Sequence, residues 1–397
     1  MKNGRLWRRV AAALLLTLLA GLMLGAAGVG ANPGATSLDD LGLTGKLAKA
    51  IQEVPLGAEK GHIDPNAPPG FLGIPGAPQV NLIVAFLWAI WVGWIFSTVG
   101  AFGGIMAGVG HMTVFGLGPY AKSFKETAPT FNKLLTDSIR VSNQFLVGLS
   151  SMVASYNHYR AGRLVLPLGL ALGLGSIVGA VTIPWLTGGK VSFSQYQGWF
   201  GLFVFIVGAF LLYETTPRGQ AGKKAAKAAA KAFEQSVKEK GDTAERGVKV
   251  TKVALPMIHF TFCGVEFKFN AVWPVLGGIV IAAVSAFLGV GGGFLYVPFL
   301  TSVVGLPMFI VAGTSALTVF ISMLASITAY IKLAGAGVYW TLIGVELVGI
   351  FIGSVIGPRT MKYIPDIWLK RIFVVLAIYV GLGYFSKGFF GKAWVPM

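Results

Sequence analysis

Residues 286–300 read Ala286-Phe-Leu-Gly-Val-Gly-Gly-Gly-Phe-Leu-Tyr-Val-Pro-Phe-Leu300, which places four glycines and a proline inside a hydrophobic run. Glycine lowers helix stability by about 1 kcal/mol relative to alanine, so the cluster predicts a break in a membrane-embedded helix. Unwound backbone at membrane depth must be buried in protein or line a wet cavity. Its free N–H groups and the positive end of a helix dipole would suit an anion, and close helix packing is the structural alternative. A nucleotide-binding loop is disfavoured, because no βαβ context surrounds the glycines.

The motif Gly289-Val-Gly-Gly-Gly-x-x-x-Val-Pro298 resembles the glycine motif of the sulfite exporter (TauE/SafE) family of membrane permeases. The resemblance continues through Gly313-Thr-Ser315, Gly349-x-x-x-Gly353 and Ile364-Pro365, and the first half of the chain matches more loosely. It implies a transporter, in the exporting direction, of a sulfur-containing anion such as sulfite, thiosulfate or an organosulfonate. It also implies no enzymatic step and no cofactor. The residues by themselves indicate only a small anion.

Composition places the chain in a membrane. Its 397 residues are 55% hydrophobic and 12% charged, whereas soluble domains carry about 25% charged residues. We therefore predict an all-α, multi-pass protein of the cell inner membrane, in contact with the lipid bilayer. The net charge of +17 fits Lys and Arg in cytoplasmic loops and is not taken as a nucleic-acid signal. Cys263 is the single cysteine, which excludes an internal disulfide and a cysteine-based metal cluster; no metal site is predicted.

The chain divides into five predicted segments. They are a signal sequence or first helix (1–31), an extracytoplasmic segment with an amphipathic helix near 38–54 (32–79), a first transmembrane repeat (80–214), a basic cytoplasmic linker with a small β-hairpin (215–270) and a second transmembrane repeat (271–397). The linker carries ten Lys and Arg against four Asp and Glu between Thr215 and Val253. This charge favours a position near anionic lipid, and partner binding is the alternative.

Three sequence matches indicate that the two transmembrane segments are repeats. In the same order along the chain, they are residues 99–105 with 284–290, 151–155 with 322–326, and 175–184 with 349–358. The first half has Met106-Ala-Gly-Val-Gly110 where the second has Gly291-Gly-Gly293. A site made by both halves is therefore expected to be asymmetric.

Each repeat is predicted to contain about five helical segments. The predicted spans are 80–98, 99–118, 141–158, 164–186 and 198–213, then 271–287, 288–304, 309–331, 338–357 and 371–386. An odd number of membrane crossings per repeat gives the two repeats opposite orientations in the membrane, as in many transporters. With residue 79 outside the cell, the basic linker falls in the cytoplasm, as the positive-inside rule prefers. The predicted loop 119–140 falls outside, and its Lys and Arg residues disagree with that rule. The alternative is that the glycine runs form re-entrant hairpins, which would change the number of membrane crossings.

Polar residues inside spans are the functional candidates. Gly313-Thr-Ser315 opens a predicted span, and Ser142-Asn-Gln144, preceded by Arg140, opens its counterpart. Hydroxyl and amide donors at helix starts suit an oxyanion, with N-capping as the alternative. His111 could donate to an anion, carry a proton or be structural. The predicted substrate-binding residues are Gly104, Gly108, Gly110, His111, Arg140, Ser142, Asn143, Gln144, Gly291, Gly292, Gly293, Thr314 and Ser315.

Glu346 is the predicted coupling residue, because it is the only acidic residue well inside a second-half span; a paired structural carboxylate is the alternative. No nucleotide-binding motif is present, so coupling is to a proton or sodium gradient, or absent. We expect alternating access around a midplane site, and a homodimer is compatible with the sequence. A membrane-embedded enzyme is the second hypothesis, but no HExxH or Gly-x-Ser-x-Gly motif supports it. An accessory subunit that recruits a partner through the linker is the third.

Overall fold

The computed structural model describes residues 45–99, 102–160, 162, 164–218, 248–254, 256–262, 265–300, 304, 306, 308–360 and 366–396. The predicted signal sequence, most of the basic linker and Ile364-Pro365 lie outside these residues. Within the described part, twelve α-helices account for most of the chain. They are α1 (Gly45–Gln52), α2 (Leu82–Val99), α3 (Phe102–Val109), α4 (Leu117–Ser123), α5 (Pro129–Arg160), α6 (Leu166–Thr187), α7 (Phe193–Thr215), α8 (Val272–Leu288), α9 (Gly293–Pro298), α10 (Met308–Ala329), α11 (Trp340–Thr360) and α12 (Asp366–Phe389).

Among the described residues, five helices are long and apolar enough to cross a membrane: α6, α7, α10 with the turn that follows it, α11 and α12. The apolar helices α2, α3 and α8 are shorter. Helix α5 has 32 residues, about 48 Å at 1.5 Å per residue, but its middle is polar. The chain is a polytopic helical membrane protein. Length and apolarity alone identify fewer crossings than the ten predicted.

Small-residue stripes join two helix pairs across the halves. The Gly-x-x-x-Gly of α6 (residues 175–179) lies so close to residues 275–283 of α8 that a Cβ would overlap backbone carbonyls. The Gly-x-x-x-Gly of α11 (residues 349–353) packs in the same way on residues 86–94 of α2. Such close backbone approach is typical of glycine at helix interfaces in membranes. In both pairs the residue numbers rise together along the contact, so the helices run parallel.

Two other pairs run antiparallel. Residues 198–208 of α7 meet residues 377–389 of α12 in reverse order. Along α5, residues 138–148 meet α10 and the turn after it in reverse order, from Gly337 to Met323. Each of these long helices in one half thus packs on a defined partner in the other. The same four helix pairs would result if each helix were replaced by its counterpart in the other half.

The second-half glycine run breaks the helix, as the sequence predicts. Helix α8 ends at Leu288, and Gly289 caps it with a left-handed φ of 72° and an N–H bond to the Ser285 carbonyl. The backbone stays irregular until α9 begins at Gly293. Helix α9 has six residues, about 9 Å, which is too short to cross a membrane alone.

The first-half glycine run differs from the second. The predicted boundary between the spans 80–98 and 99–118 is where α2 ends at Val99 and α3 begins at Phe102. Residues 103–109 lie inside α3, and Gly110–Val114 form a π-helical turn that continues it. A helical backbone satisfies its own hydrogen bonds, so these glycines serve close packing instead. Gly103 lies against Phe96 of α2. The two halves are therefore asymmetric, as expected.

The prediction of a loop over residues 119–140 is wrong, because most of these residues are helical. Helix α4 covers its start, and α5 begins at Pro129, a residue that the first turn of a helix tolerates. Arg140 is consequently the twelfth residue of a long helix. Polar residues lower the local hydropathy there, which displaced the predicted start of the span to residue 141.

Residues 45–79 cover the end of the bundle at which α5 begins. The Lys46 ammonium donates to the Leu333 carbonyl at 2.8 Å, and the Thr127 hydroxyl donates to the Gly61 carbonyl. Within this segment, α1 occupies Gly45–Gln52, a shorter helix than the predicted 38–54, whose first residues lie outside the described part. The segment is packed on the bundle by buried apolar side chains, including Leu47.

A small antiparallel sheet lies at the other end of α5. Strands β1 (Val248–Ala254), β2 (Met257–Phe262) and β3 (Val265–Asn270) pair in that order. Strands β2 and β3 form the predicted β-hairpin, in which Phe262 pairs with Val265. Strand β1 was not predicted. Alternate residues of β2 are buried against the ends of α6 and α10.

Candidate functional site

A polar cluster lies inside the bundle at the middle of α5. Asp137, Arg140, Asn143 and Gln144 are each 0% exposed. Their spacing of three or four residues places them along one side of the helix. Burying charges inside a membrane protein is costly unless they are paired or functional. The contacts of each side chain therefore show what the cluster can do.

The Arg140 guanidinium is held by both halves of the protein. Its Nη1 donates to Asp137 Oδ1 at 3.0 Å and to the Tyr330 hydroxyl at 3.2 Å. The guanidinium carbon lies 4.6 Å from the centre of the Tyr196 ring and 4.9 Å from that of Phe287. These contacts come from α5, α7, α8 and the turn after α10. They hold the cation in one orientation.

The other two guanidinium nitrogens of Arg140 have no protein partner. Nε and Nη2 are buried and make no hydrogen bond within the described part of the chain. They form one edge of the planar group and present two parallel N–H donors. This fork matches two oxygens of one carboxylate, phosphate or similar oxyanion. Buried donors without partners cost about 1–3 kcal/mol each, so a site that keeps two of them is suited to a ligand that accepts both.

The amides next to Arg140 are also incompletely used. Gln144 Nε2 donates to the Ala286 carbonyl at 3.1 Å, but Gln144 Oε1 has no partner. Asn143 lies beside His111 and Tyr196, and neither of its amide atoms makes a regular hydrogen bond. The cluster thus offers further donors and acceptors beside the guanidinium fork.

The glycine break lies directly against this cluster. A Cβ on Gly289 would be 3.2 Å from the Arg140 carbonyl oxygen and 3.6 Å from the Asn143 Cβ. The last carbonyls of α8 accept bonds from the cluster, since the Tyr196 hydroxyl donates to Leu288 at 3.0 Å. The break therefore presents the carbonyl end of α8 to the site. The positive charge comes from Arg140 and not from a helix dipole at the break.

The other predicted glycines face mainly apolar groups. A Cβ on Gly291 would meet Val147 at 2.6 Å, and one on Gly293 would meet Val319 at 3.9 Å. A Cβ on Gly292 would lie 2.7 Å from side-chain atoms of Ile281 and Ser285 in α8 and of Tyr296 in α9. These three positions support the shape of the break beside Arg140.

The first-half glycines pack α3 onto its neighbours. Gly104 lies against the Val290 carbonyl, so it touches the break itself. A Cβ on Gly108 would be 2.6 Å from Phe200 and 3.3 Å from Asn143 Nδ2, and Gly110 lies against the Trp88 ring. They bring α3, and with it His111, close to the cluster.

His111 and Glu346 form a fully buried pair, with Nε2 and Oε2 3.2 Å apart. His111 Nδ1 lies 3.1 Å from the Ala107 carbonyl, which can only accept, so Nδ1 carries a proton. The contact between Nε2 and the carboxylate then requires one further proton, on either partner. Glu346 Oε1 has no hydrogen-bond partner. The pair can therefore hold one transferable proton close to Asn143.

Three predicted hydroxyl residues donate to carbonyls of their own helices. Ser142 donates to the Ser138 carbonyl, Thr314 to Ile310, and Ser315 to Ala312. None of them is at a helix start, which corrects the expectation for both triplets. Each hydroxyl bonds the preceding turn of its own helix, a local contact available to Ser and Thr.

The sequence interpretation missed four residues that contact Arg140. Asp137 carries a usable signal, because an acidic residue three positions before a basic one pairs on a helix. Tyr196, Phe287 and Tyr330 are aromatic residues in apolar spans, and only the folded arrangement brings them to the guanidinium.

A buried guanidinium with two free donors thus lies beside a helix break inside a polytopic membrane bundle. The family model described as "Sulfite exporter TauE/SafE" matches residues 84–384. The chain belongs to this family, whose members are membrane transporters of sulfur anions. Neither the comparison with curated proteins nor that with solved structures gave a match.

Proposed function

We propose that this protein exports small sulfur-containing anions, such as sulfite, thiosulfate or organosulfonates, across the cell inner membrane. The observation that carries the proposal is the unpartnered Nε and Nη2 fork of Arg140. Two oxygens of one sulfur oxyanion would occupy this fork. The amides of Asn143 and Gln144 would bind the remaining oxygens. The glycines of the break and of α3 would keep the surrounding backbone close.

Alternating access between two inverted repeats is the proposed mechanism. Equivalent helices of the two halves pack antiparallel, α5 with α10 and α7 with α12. Inverted repeats give opposite directions to equivalent helices, whereas parallel repeats do not. Arg140 belongs to the first half, and Phe287 and Tyr330, which contact it, belong to the second. Movement of one half against the other would then change access to the fork from either end.

Proton coupling through His111 and Glu346 is part of the proposal. Their shared proton lies in the same buried region as the fork, with Asn143 between His111 and Tyr196. A bound anion adds negative charge to this region, which favours the protonated pair. Substrate and proton would therefore move together.

The test uses purified full-length protein. Calorimetric titration with sulfite, thiosulfate and methanesulfonate should give saturable binding, while dimethyl sulfone, a neutral control of similar shape, should not bind. Protein in liposomes should move the bound anions without chemical change. Equal binding of the neutral control, or conversion of the anion into a new product, would overturn the proposal.

A further inference from the structure

Asp137 is held at both oxygens. Its Oδ1 accepts from Arg140 Nη1 at 3.0 Å, and its Oδ2 accepts from the Gly189 N–H at 2.7 Å. Gly189 follows the end of α6, so the carboxylate is anchored to backbone outside its own helix. Two bonds to separate elements fix the carboxylate beside the cation. It occupies one end of the guanidinium and leaves the Nε–Nη2 edge free.

The buried charges that line the site nearly cancel. Among the described residues, the fully buried charged side chains are Arg140, Asp137 and the His111–Glu346 pair. Arg140 and Asp137 contribute one charge of each sign. Lys46 is the next cation near Asp137, but it is exposed at the end of the bundle and is screened by water and salt. The neighbouring hydroxyls of Tyr196 and Tyr330 carry no charge, and they donate to the Leu288 and Ala286 carbonyls.

We propose that Asp137 is a specificity-determining residue that makes the site select singly charged anions over doubly charged ones. This inference rests on the proposed function and ranks its substrates: organosulfonates and hydrogensulfite should bind more tightly than thiosulfate, and sulfate should bind weakly. Because Asp137 already offsets the charge of Arg140, a bound monoanion leaves one uncompensated negative charge. A dianion leaves two, and each unpaired charge in a water-poor interior is costly.

The number of free donors agrees with a preference for singly charged anions. The fork supplies two N–H groups, which are sufficient for two oxygens of one sulfonate head. A doubly charged anion would need a second buried cation for charge balance. The described part of the chain offers only His111 in this region, and Glu346 already pairs with it. The site is thus matched to the oxygens of a sulfur oxyanion but to only a single charge.

The experiment compares methanesulfonate with sulfate, two tetrahedral sulfur anions that differ in charge. Calorimetric titration of the full-length protein at fixed pH and ionic strength should show at least about tenfold tighter binding of methanesulfonate. Asp137→Asn removes the charge while its amide oxygen can still accept from Gly189. In this variant the affinity for sulfate should rise more than the affinity for methanesulfonate. The ratio of the two affinities should therefore fall about tenfold. Glu53→Gln, which removes an exposed charge, is the matched control and should leave the ratio unchanged.

The outcomes separate this inference from the proposed function. If wild-type protein binds sulfate as tightly as methanesulfonate, charge selection is refuted while anion binding stands. The same conclusion follows if Asp137→Asn strengthens the binding of both anions equally. If wild-type protein binds neither anion, the proposed function itself fails. Should Asp137→Asn not fold, the wild-type ratio alone decides the question.

Discussion

Arg140→Lys tests the guanidinium fork while the positive charge is kept. Lysine can still pair with Asp137, so no buried carboxylate is left alone. It cannot present two parallel donors on one plane. A hydrogen bond to a charged group contributes about 1.5–3 kcal/mol. If one of the two fork bonds is lost, anion affinity should fall roughly 10- to 150-fold.

The same substitution should also lower stability. The guanidinium lies over the rings of Tyr196 and Phe287, and each such contact contributes about 0.5–1 kcal/mol or more. An ammonium on a flexible chain would keep only part of this energy. We expect a loss of about 1–2 kcal/mol, which should still allow the protein to fold.

Calorimetric titration with methanesulfonate measures the affinity, and circular dichroism with size-exclusion chromatography reports folding. Arg160→Lys is the matched control, because it makes the same change at the exposed end of the same helix. Its affinity should equal that of the wild type. A folded Arg140→Lys protein with wild-type affinity would show that the fork does not bind the anion.

Three further predictions follow from the break, the buried pair and the chain direction. Glu346→Gln should abolish pH-driven flux in liposomes and leave anion exchange largely intact; intact pH-driven flux would exclude a proton role. Gly292→Ala should reduce thermal stability because a Cβ has no room, whereas Gly293→Ala should fold normally; equal melting temperatures would contradict this packing. On a cysteine-free background, a cysteine at position 60 should be labelled from outside and one at position 230 from the cytoplasm; labelling both from one side would defeat the inverted arrangement.

The sequence predicted the features that depend on local composition. Apolar runs identified the membrane helices, and the glycine cluster after Leu288 identified the break, because backbone propensity alone disfavours helix there. The start of α5 was missed, since its polar middle resembles a loop. Contacts of its polar side chains with α7, α8 and the turn after α10 are what allow that polar stretch to remain helical within the bundle.

The candidate site was predictable in its residue types but not in its geometry. His111 and Glu346 stood out as ionisable residues in apolar spans, which is a strong signal at membrane depth. Arg140 stood out only as the cation that precedes Ser142-Asn-Gln144. Their partners could not be identified in the same way, because Glu346 meets His111 across 235 positions of the chain. Gly292 also shows this limit, since only the folded structure shows that a Cβ at this position would meet Ser285 and Tyr296.

The proposed binding of a single small anion would account for the difference between the two halves. By the repeat alignment, Val311 stands where the first half has Arg140, and Thr314 stands where it has Asn143. A second buried guanidinium at this interface would repel the first and would bind a single anion too tightly for release. Transport requires binding that is favourable on entry and still reversible. The first half therefore supplies the cation, its counter-ion and Tyr196, while the second supplies Phe287, Tyr330, a glycine break and Glu346.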